Sequence, residues 1–239
     1  MGRSHPRGNV APTIDGVETD SQRFRDLTLG AFVDRLASAA PVPGGGSASA
    51  VAASLGAGLV AMVAALSTDR PKYADHAATH AVAGARGREL VDRFLVLADR
   101  DSDAYAGFAA ALKLPRDTDE ERAARRTALA AAARVASEVP MGCVEACLEL
   151  VDTADMLAGR SNVNAASDLG VASLLGEAAA QGAAANVLVN LPSVEDAAFA
   201  TAIAARLDGI LAEVSATARR IREVVASGEA RAPLPTSNP

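Results

Sequence analysis

The chain of 239 residues carries 29 acidic and 23 basic side chains, a net charge of −6, and is half apolar by count with no tryptophan. That balance excludes the clustered basic footprint of a nucleic-acid binder. Two cysteines are too few for a disulfide scaffold, so a reducing cytoplasm is the expected compartment. The apolar mass is mostly alanine, valine and leucine, and the clearest β-branched cluster is the short NVLVNL at 186–191. Alanine has the best helix propensity and lets helices approach closely, so the chain reads as all-α.

Residues 1–27 lack an apolar h-region and read as a disordered leader rather than a signal peptide. Thr28 is placed to N-cap a first helix over 29–39, which Pro41 ends. The loop PVPGGGS (41–47) follows, and Ser47 or Ser49 is placed to cap a second helix over 48–67. Three glycines exceed what a plain turn needs. At a helix N-terminus they expose backbone N–H groups where the dipole favours negative charge, so Gly44, Gly45 and Gly46 are expected to form a binding loop.

From Leu36 to Thr68 no residue is charged, which is long enough to cross a bilayer. The glycine, serine and alanine content fits a buried central helix better. Val51, Leu55, Leu59, Met62 and Leu66 make a bulky stripe on it, and Ser54, Gly58, Ala61 and Ala65 a small one, which predicts packing on two sides.

STDRPKYAD (67–75) breaks the pattern, and a long helix is predicted over 76–113. His76 and His80 have the spacing of a zinc pair, but HAATH lacks a glutamate and a third ligand, so exposed helix histidines and no metal are expected. Phe94, Leu97, Ala98, Tyr105, Phe108 and Leu112 form a seam, and Asp101 falls inside it. A carboxylate there needs a partner or a task. Burial would raise its pKa toward the range of general acid–base catalysis. The sequence leaves open whether Asp101 is catalytic or ties helices together.

TDEE (118–121) is a capping box opening a helix to about 139, where Pro140 is expected to stop it. Helices over 141–158, 165–190 and 194–227 follow, with Gly228 past the last. Cys143 and Cys147 read as small core residues. The sum is an antiparallel up-and-down bundle of about seven helices in one domain, 28–227, with a tail over 228–239. No Walker, dinucleotide or nucleophile-elbow motif occurs, so no tightly bound cofactor is expected.

The segment LASAAPVPGGGSASAVAASLGAGLVAMVAALS (36–67) resembles the opening of the cyclodeaminase/cyclohydrolase family. KY at 72–73, LADRDSDAY at 97–105, ALKLPRDTDEERAARR at 111–126, VP at 139–140 and the run from Asn164 to Asn190 match it in order. The resemblance implies an all-α, homodimeric enzyme of tetrahydrofolate one-carbon metabolism. One activity hydrolyses 5,10-methenyltetrahydrofolate to 10-formyltetrahydrofolate. The other closes 5-formiminotetrahydrofolate to the methenyl form with loss of ammonia.

The sequence shows no formiminotransferase segment, which favours the cyclohydrolase. The cyclodeaminase is the alternative, and a non-catalytic folate-binding bundle a second. The resemblance implies that Asp101 activates water, with Asp99 behind it and the Tyr105 hydroxyl nearby. It also implies that Gly44, Gly45, Gly46 and Ser47 line the folate pocket, and that Asn164, Ser167 and Asp168 meet the pterin. Lys72 would meet the glutamate tail, while Asn186 and Asn190 would tie their helix to the core. No membrane or nucleic-acid partner is implied.

Overall fold

A computed structural model describes residues 23–235. Six α-helices follow one another: α1 (Leu29–Leu36), α2 (Gly45–Ser67), α3 (Ala77–Leu112), α4 (Asp119–Leu157), α5 (Ala166–Asn190) and α6 (Ala197–Ser227). Short 3-10 turns occupy the links at Phe24–Asp26, Pro71–His76, Val163–Ala165 and Leu191–Val194, and no strand occurs among the described residues.

Several ends follow local chemistry. Thr28 accepts the Ala31 N–H, Thr118 and Glu121 complete a capping box, and Gly228 closes α6 at φ 67. The other expected cap fails. Gly44 is the N-cap of α2, and Ser47 and Ser49 lie inside the helix.

Pro140 does not end a helix, so there is one helix fewer than expected. α4 runs through it without a break. A proline removes the N–H that the carbonyl four residues earlier would receive. Here that carbonyl belongs to Ala136, and Nδ2 of Asn190 on α5 donates to it at 2.8 Å. A neighbouring side chain supplies the bond that the sequence lacks locally.

α2, α3, α4 and α5 pack in a ring, each against the next in an up-and-down course, and α6 lies along α4 and α5. The buried face of α2 is Ala50, Ala53, Ala57, Val60, Val63 and Ala64. Contact there is tight, because a β-carbon on Gly87 of α3 would meet the backbone of Ala57 and Ala61. The bulky stripe divides: Leu55 is 54% and Met62 38% exposed, whereas Val51 and Leu59 pack partly buried against the core.

Segments on both flanks of the helices pack against them. Residues 1–22 lie outside the described residues, but Phe24 is buried against Phe32 with ring centroids 5.4 Å apart. At the other end Arg231 donates its N–H to the Gly159 carbonyl and pairs with Asp155 at 2.9 Å. Cys143 and Cys147 are free and buried, as expected.

His76 and His80 differ from expectation. His80 is buried, with Nε2 2.9 Å from the Arg160 carbonyl, and His76 is half-buried. Among the described residues no group of three or more His, Cys, Asp or Glu converges as a metal site.

At 36 and 39 residues, α3 and α4 are longer than α2 and α5, with 23 and 25. At 1.5 Å per residue the excess is roughly 20 Å. The end of α3 and the start of α4 therefore project as a two-helix arm.

Candidate active site

At the base of that arm a recess of about 340 Å³ opens between the start of α2, the last third of α3 and the end of α5. Pro41, Val42, Gly44 and Gly45 form one wall, Asp101, Ala104, Tyr105 and Phe108 a second, and Ala136, Asn186, Val189 and Asn190 a third. Its surface mixes apolar rings with one carboxylate and two amides.

Asp101 is half-buried, and its position is fixed by α2. Ser47 Oγ donates to Oδ2 at 2.8 Å, with the Ala98 carbonyl 3.1 Å away as the longer alternative. The Ser47 backbone N–H, in the same turn, also favours the charged form of the carboxylate. Gly46 lies directly against the carboxyl group, where any β-carbon would overlap it. The first turn of a helix carries unpaired N–H groups and a positive dipole end. The glycine loop therefore holds the protein's own carboxylate as well as facing the recess. Burial pushes the Asp101 carboxyl above its ordinary value, and the two hydrogen bonds from Ser47 oppose that rise.

The expected site residues divide into four groups. Asp101, Tyr105, Gly44 and Gly45 come together around the recess. Gly46 and Ser47 are buried behind Asp101 and act on it rather than on the recess. Asp99 accepts the Phe24 N–H at 2.8 Å and anchors the segment before α1, so it is not part of the wall.

Lys72, Asn164, Ser167 and Asp168 are elsewhere. Lys72 precedes α3, while Asn164, Ser167 and Asp168 are at the start of α5. Tyr73 Oη accepts the Val163 N–H at 3.0 Å, which joins these two segments at one end of the bundle. The recess takes α5 from its opposite end, at Asn186 to Asn190. The helix rise puts about 30 Å between Ser167 and Asn186. Within one chain these four residues do not reach Asp101.

Both asparagines line the recess, and Asn190 ties α5 to α4 as expected, whereas the Asn186 amide bonds within its own helix. Asn186 Nδ2 donates to the Gly182 carbonyl at 2.9 Å, and Asn190 Nδ2 bridges the Ala136 and Asn186 carbonyls at 2.8 Å each. Two amides one turn apart at the end of a helix were the available signal.

The formiminotransferase-cyclodeaminase family profile matches residues 28–209. Over 200 residues the chain is 38% identical to a methenyltetrahydrofolate cyclohydrolase of Methylorubrum extorquens, covering 84% of this chain and 96% of that one. It is 32% identical over 209 residues to the formimidoyltransferase-cyclodeaminase of Gallus gallus, of which the match spans 39%. The fold resembles a crystal structure of formiminotetrahydrofolate cyclodeaminase from Thermotoga maritima, with a TM-score of 0.77, 26% identity, and 85% of this chain and 98% of that chain covered.

Proposed function

The chain belongs to the formiminotransferase-cyclodeaminase family, and from that premise we propose that it hydrolyses 5,10-methenyltetrahydrofolate to 10-formyltetrahydrofolate at the Asp101 recess. The observation that carries this reading is a half-buried carboxylate of raised pKa, held on the recess wall by α2. It is joined by a cyclohydrolase relative matched across 96% of its length.

The methenyl bridge between N5 and N10 is a cation, and the Asp101 carboxylate favours its binding by charge. The same carboxylate takes a proton from water as the oxygen attacks the bridging carbon. The tetrahedral adduct then breaks its bond to N5 as the protonated Asp101 returns its proton to that nitrogen, and the adduct's hydroxyl proton leaves to water, so that the formyl group stays on N10. Tyr105, Phe108 and Val189 offer the flat rings an apolar wall.

The second reading is the cyclodeaminase, favoured by the Thermotoga likeness across 98% of a chain with that name. There N10 attacks the formimino carbon, and Asp101, once protonated, donates to the departing ammonia. A recess containing Asp101 speaks against a binding-only bundle.

We propose further that the protein acts as a cytoplasmic homodimer. α2 and α5 expose Leu55, Met62, Leu66, Val171, Leu174 and Leu188. No Asp, Glu, Lys or Arg interrupts α2 at all. A two-fold axis across these helices would carry the partner's α5 start to this chain's recess. Asn164, Ser167 and Asp168 would then meet the pterin from the second subunit.

The deciding assay follows loss of methenyltetrahydrofolate absorbance against an uncatalysed blank, with ammonia release from 5-formiminotetrahydrofolate in parallel. Water addition that Asp101→Asn abolishes supports the cyclohydrolase. Ammonia release alone replaces it with the cyclodeaminase. Activity retained in Asp101→Asn removes the aspartate from the mechanism.

A further inference from the structure

Asn186 lines the recess with an amide that adds little to the fold. Its Nδ2 donates to the Gly182 carbonyl at 2.9 Å. Both residues lie within α5, where that carbonyl already receives the Asn186 backbone N–H. Asn190 differs, because the Ala136 carbonyl that it serves lost its helical donor to Pro140. Asparagine is also a weak helix former, since its amide competes with the backbone.

What the Gly182 bond does fix is the direction of the amide. With Nδ2 turned to that carbonyl, Oδ1 accepts from no group among the described residues. The side chain is half-buried on the recess wall, so its oxygen is an acceptor held ready there. Reversing the amide would set two carbonyl oxygens against each other.

Asn186 and Asp101 meet the start of α2 at consecutive residues. A β-carbon on Gly45 would have the Asn186 Nδ2 as its nearest atom, at 3.5 Å, and one on Gly46 would overlap the Asp101 carboxyl. Consecutive α-carbons are about 3.8 Å apart. The amide from α5 and the carboxyl from α3 therefore approach the same turn and face one recess. Ser47 bonds one oxygen of Asp101, and the carboxylate keeps lone pairs for a ligand.

An attacking water brings two protons, and Asp101 takes only one. The other stays on oxygen through the tetrahedral adduct, in a recess walled in part by Phe108 and Val189. We propose that Asn186 Oδ1 accepts the hydrogen bond of that second proton, so that amide and carboxylate together aim the water at the methenyl carbon. The assignment rests on the reading of the Asp101 recess as the reaction site. As the C–O bond forms, the first proton passes to Asp101, while the second O–H stays bonded to Asn186, which takes no proton. When the C–N5 bond breaks, its electron pair and the Asp101 proton go to N5, and the hydroxyl proton leaves to water. In the cyclodeaminase reading the departing ammonia presents N–H donors in the same place, so the role is common to both reactions.

The test measures kcat and KM for methenyltetrahydrofolate hydrolysis, above the uncatalysed blank, in Asn186→Leu and Asn186→Asp. Leucine matches the shape and removes the acceptor, whereas aspartate loses the bond to Gly182 and keeps an acceptor. Asn186→Leu is expected to lower kcat by about tenfold to a hundredfold with KM held within about twofold, the pattern of a bond made only in the transition state. Asn186→Asp is expected to keep kcat within about threefold at its upper pH plateau. Its acidic limb should move to higher pH, because a second carboxylate disfavours ionisation of Asp101. Burial and Ser47 are what act on Asp101 in the native protein, so the new charge is read without a competing one. Asn186→Ala, with the best helix former, repeats the measurement if leucine unfolds the chain.

Equal kcat losses in Asn186→Leu and Asn186→Asp would assign the residue to its Gly182 bond and overturn the proposal. So would a raised KM with kcat unchanged, or no loss at all. Asp101→Asn in the same assay separates the two levels. If it abolishes turnover while Asn186→Leu leaves kcat intact, the Asn186 assignment alone falls. If Asp101→Asn keeps its turnover, the reading of the recess falls and this assignment with it. Should ammonia release from 5-formiminotetrahydrofolate be the activity found, the same kcat pattern is expected there, and its absence overturns the proposal.

Discussion

The α-carbon of Gly46 lies against the carboxyl group of Asp101, so close that a β-carbon on the glycine would overlap it. The relationship explains a glycine in the first turn of α2 better than backbone freedom does, because the residue is helical and needs no unusual φ. Gly46→Ala forces the carboxylate off the Ser47 hydroxyl. We expect at least about a tenfold loss of turnover and an overpacking cost of about 1–3 kcal/mol. Gly45→Ala is the contrast, since its nearest new contact is the Asn186 amide at 3.5 Å. Turnover and thermal melting of the two variants side by side check the point. Equal losses would mean that the fit between Gly46 and Asp101 is not what matters.

Ser47 sets the protonation of Asp101 as well as its position. Burial raises the carboxyl pKa, and the hydrogen bonds from Ser47 lower it. Ser47→Ala removes the hydroxyl, so less opposes the rise and the pKa moves further up. The carboxylate acts as the base, so activity falls as pH drops through its pKa. The acidic limb of kcat/KM therefore shifts to higher pH in Ser47→Ala. An unmoved or lowered limb would assign it to another group.

Asp101 also leaves a signature in stability. A carboxyl whose folded pKa is raised stabilises the fold fully below its unfolded value, and that contribution is lost as pH rises through the folded value. The unfolded value is 3.8. Asp101→Asn does not titrate and keeps an oxygen for Ser47 to bond. The native protein should therefore lose melting temperature relative to Asp101→Asn as pH rises from about 4 toward neutrality. Melting curves across that range test it. A native protein that gains on the variant over the same range would mean a lowered pKa and an ion pair in place of burial.

The proposed dimer has its own test. Leu55 and Leu174 are each more than half exposed on the face shared by α2 and α5. Leu55→Glu with Leu174→Glu places charge on that face and should halve the mass measured by light scattering. Activity should fall with it, because Asp168 is about 30 Å from the recess within its own chain. Mixing Asp101→Asn with Asp168→Asn should restore part of the activity, since some mixed dimers hold one complete site. Two inactive variants that stay inactive when mixed would mean that Asp168 does not act across subunits.

The sequence made most of the frame legible, because caps are local. Thr28, the Thr118 capping box and Gly228 each act within four residues. Asp101 was legible as a polar intrusion in the Phe94-to-Tyr105 seam. Its partner was not, because Ser47 is 54 residues away and reads locally as a cap. The buried histidine escaped for a similar reason: His80 sits on a helix that looks solvated until the Arg160 carbonyl covers it. The exposed part of the bulky stripe of α2 misled because hydrophobicity marks burial in general, whereas closely approaching helices select small residues on the face they share.

Pro140 gives the sharpest case of a local signal overruled from a distance, and it can be tested by restoring what proline removes. The Ala136 carbonyl lacks its helical N–H because residue 140 is proline, and Asn190 Nδ2 replaces that bond. Asn190→Ala should leave the carbonyl without a donor and cost about 1–2 kcal/mol. It should also loosen the wall that Asn190 and Val189 give the recess, raising KM more than it lowers kcat. Pro140→Ala returns an N–H to the helix at the right place. In that background the carbonyl is already bonded, so Asn190→Ala should cost clearly less, and the two substitutions should couple by about 1 kcal/mol. Denaturant unfolding of the four proteins in the cycle measures that coupling. Additive costs would mean that Asn190 contributes through its bond to the Asn186 carbonyl instead, and that α4 tolerates Pro140 without help.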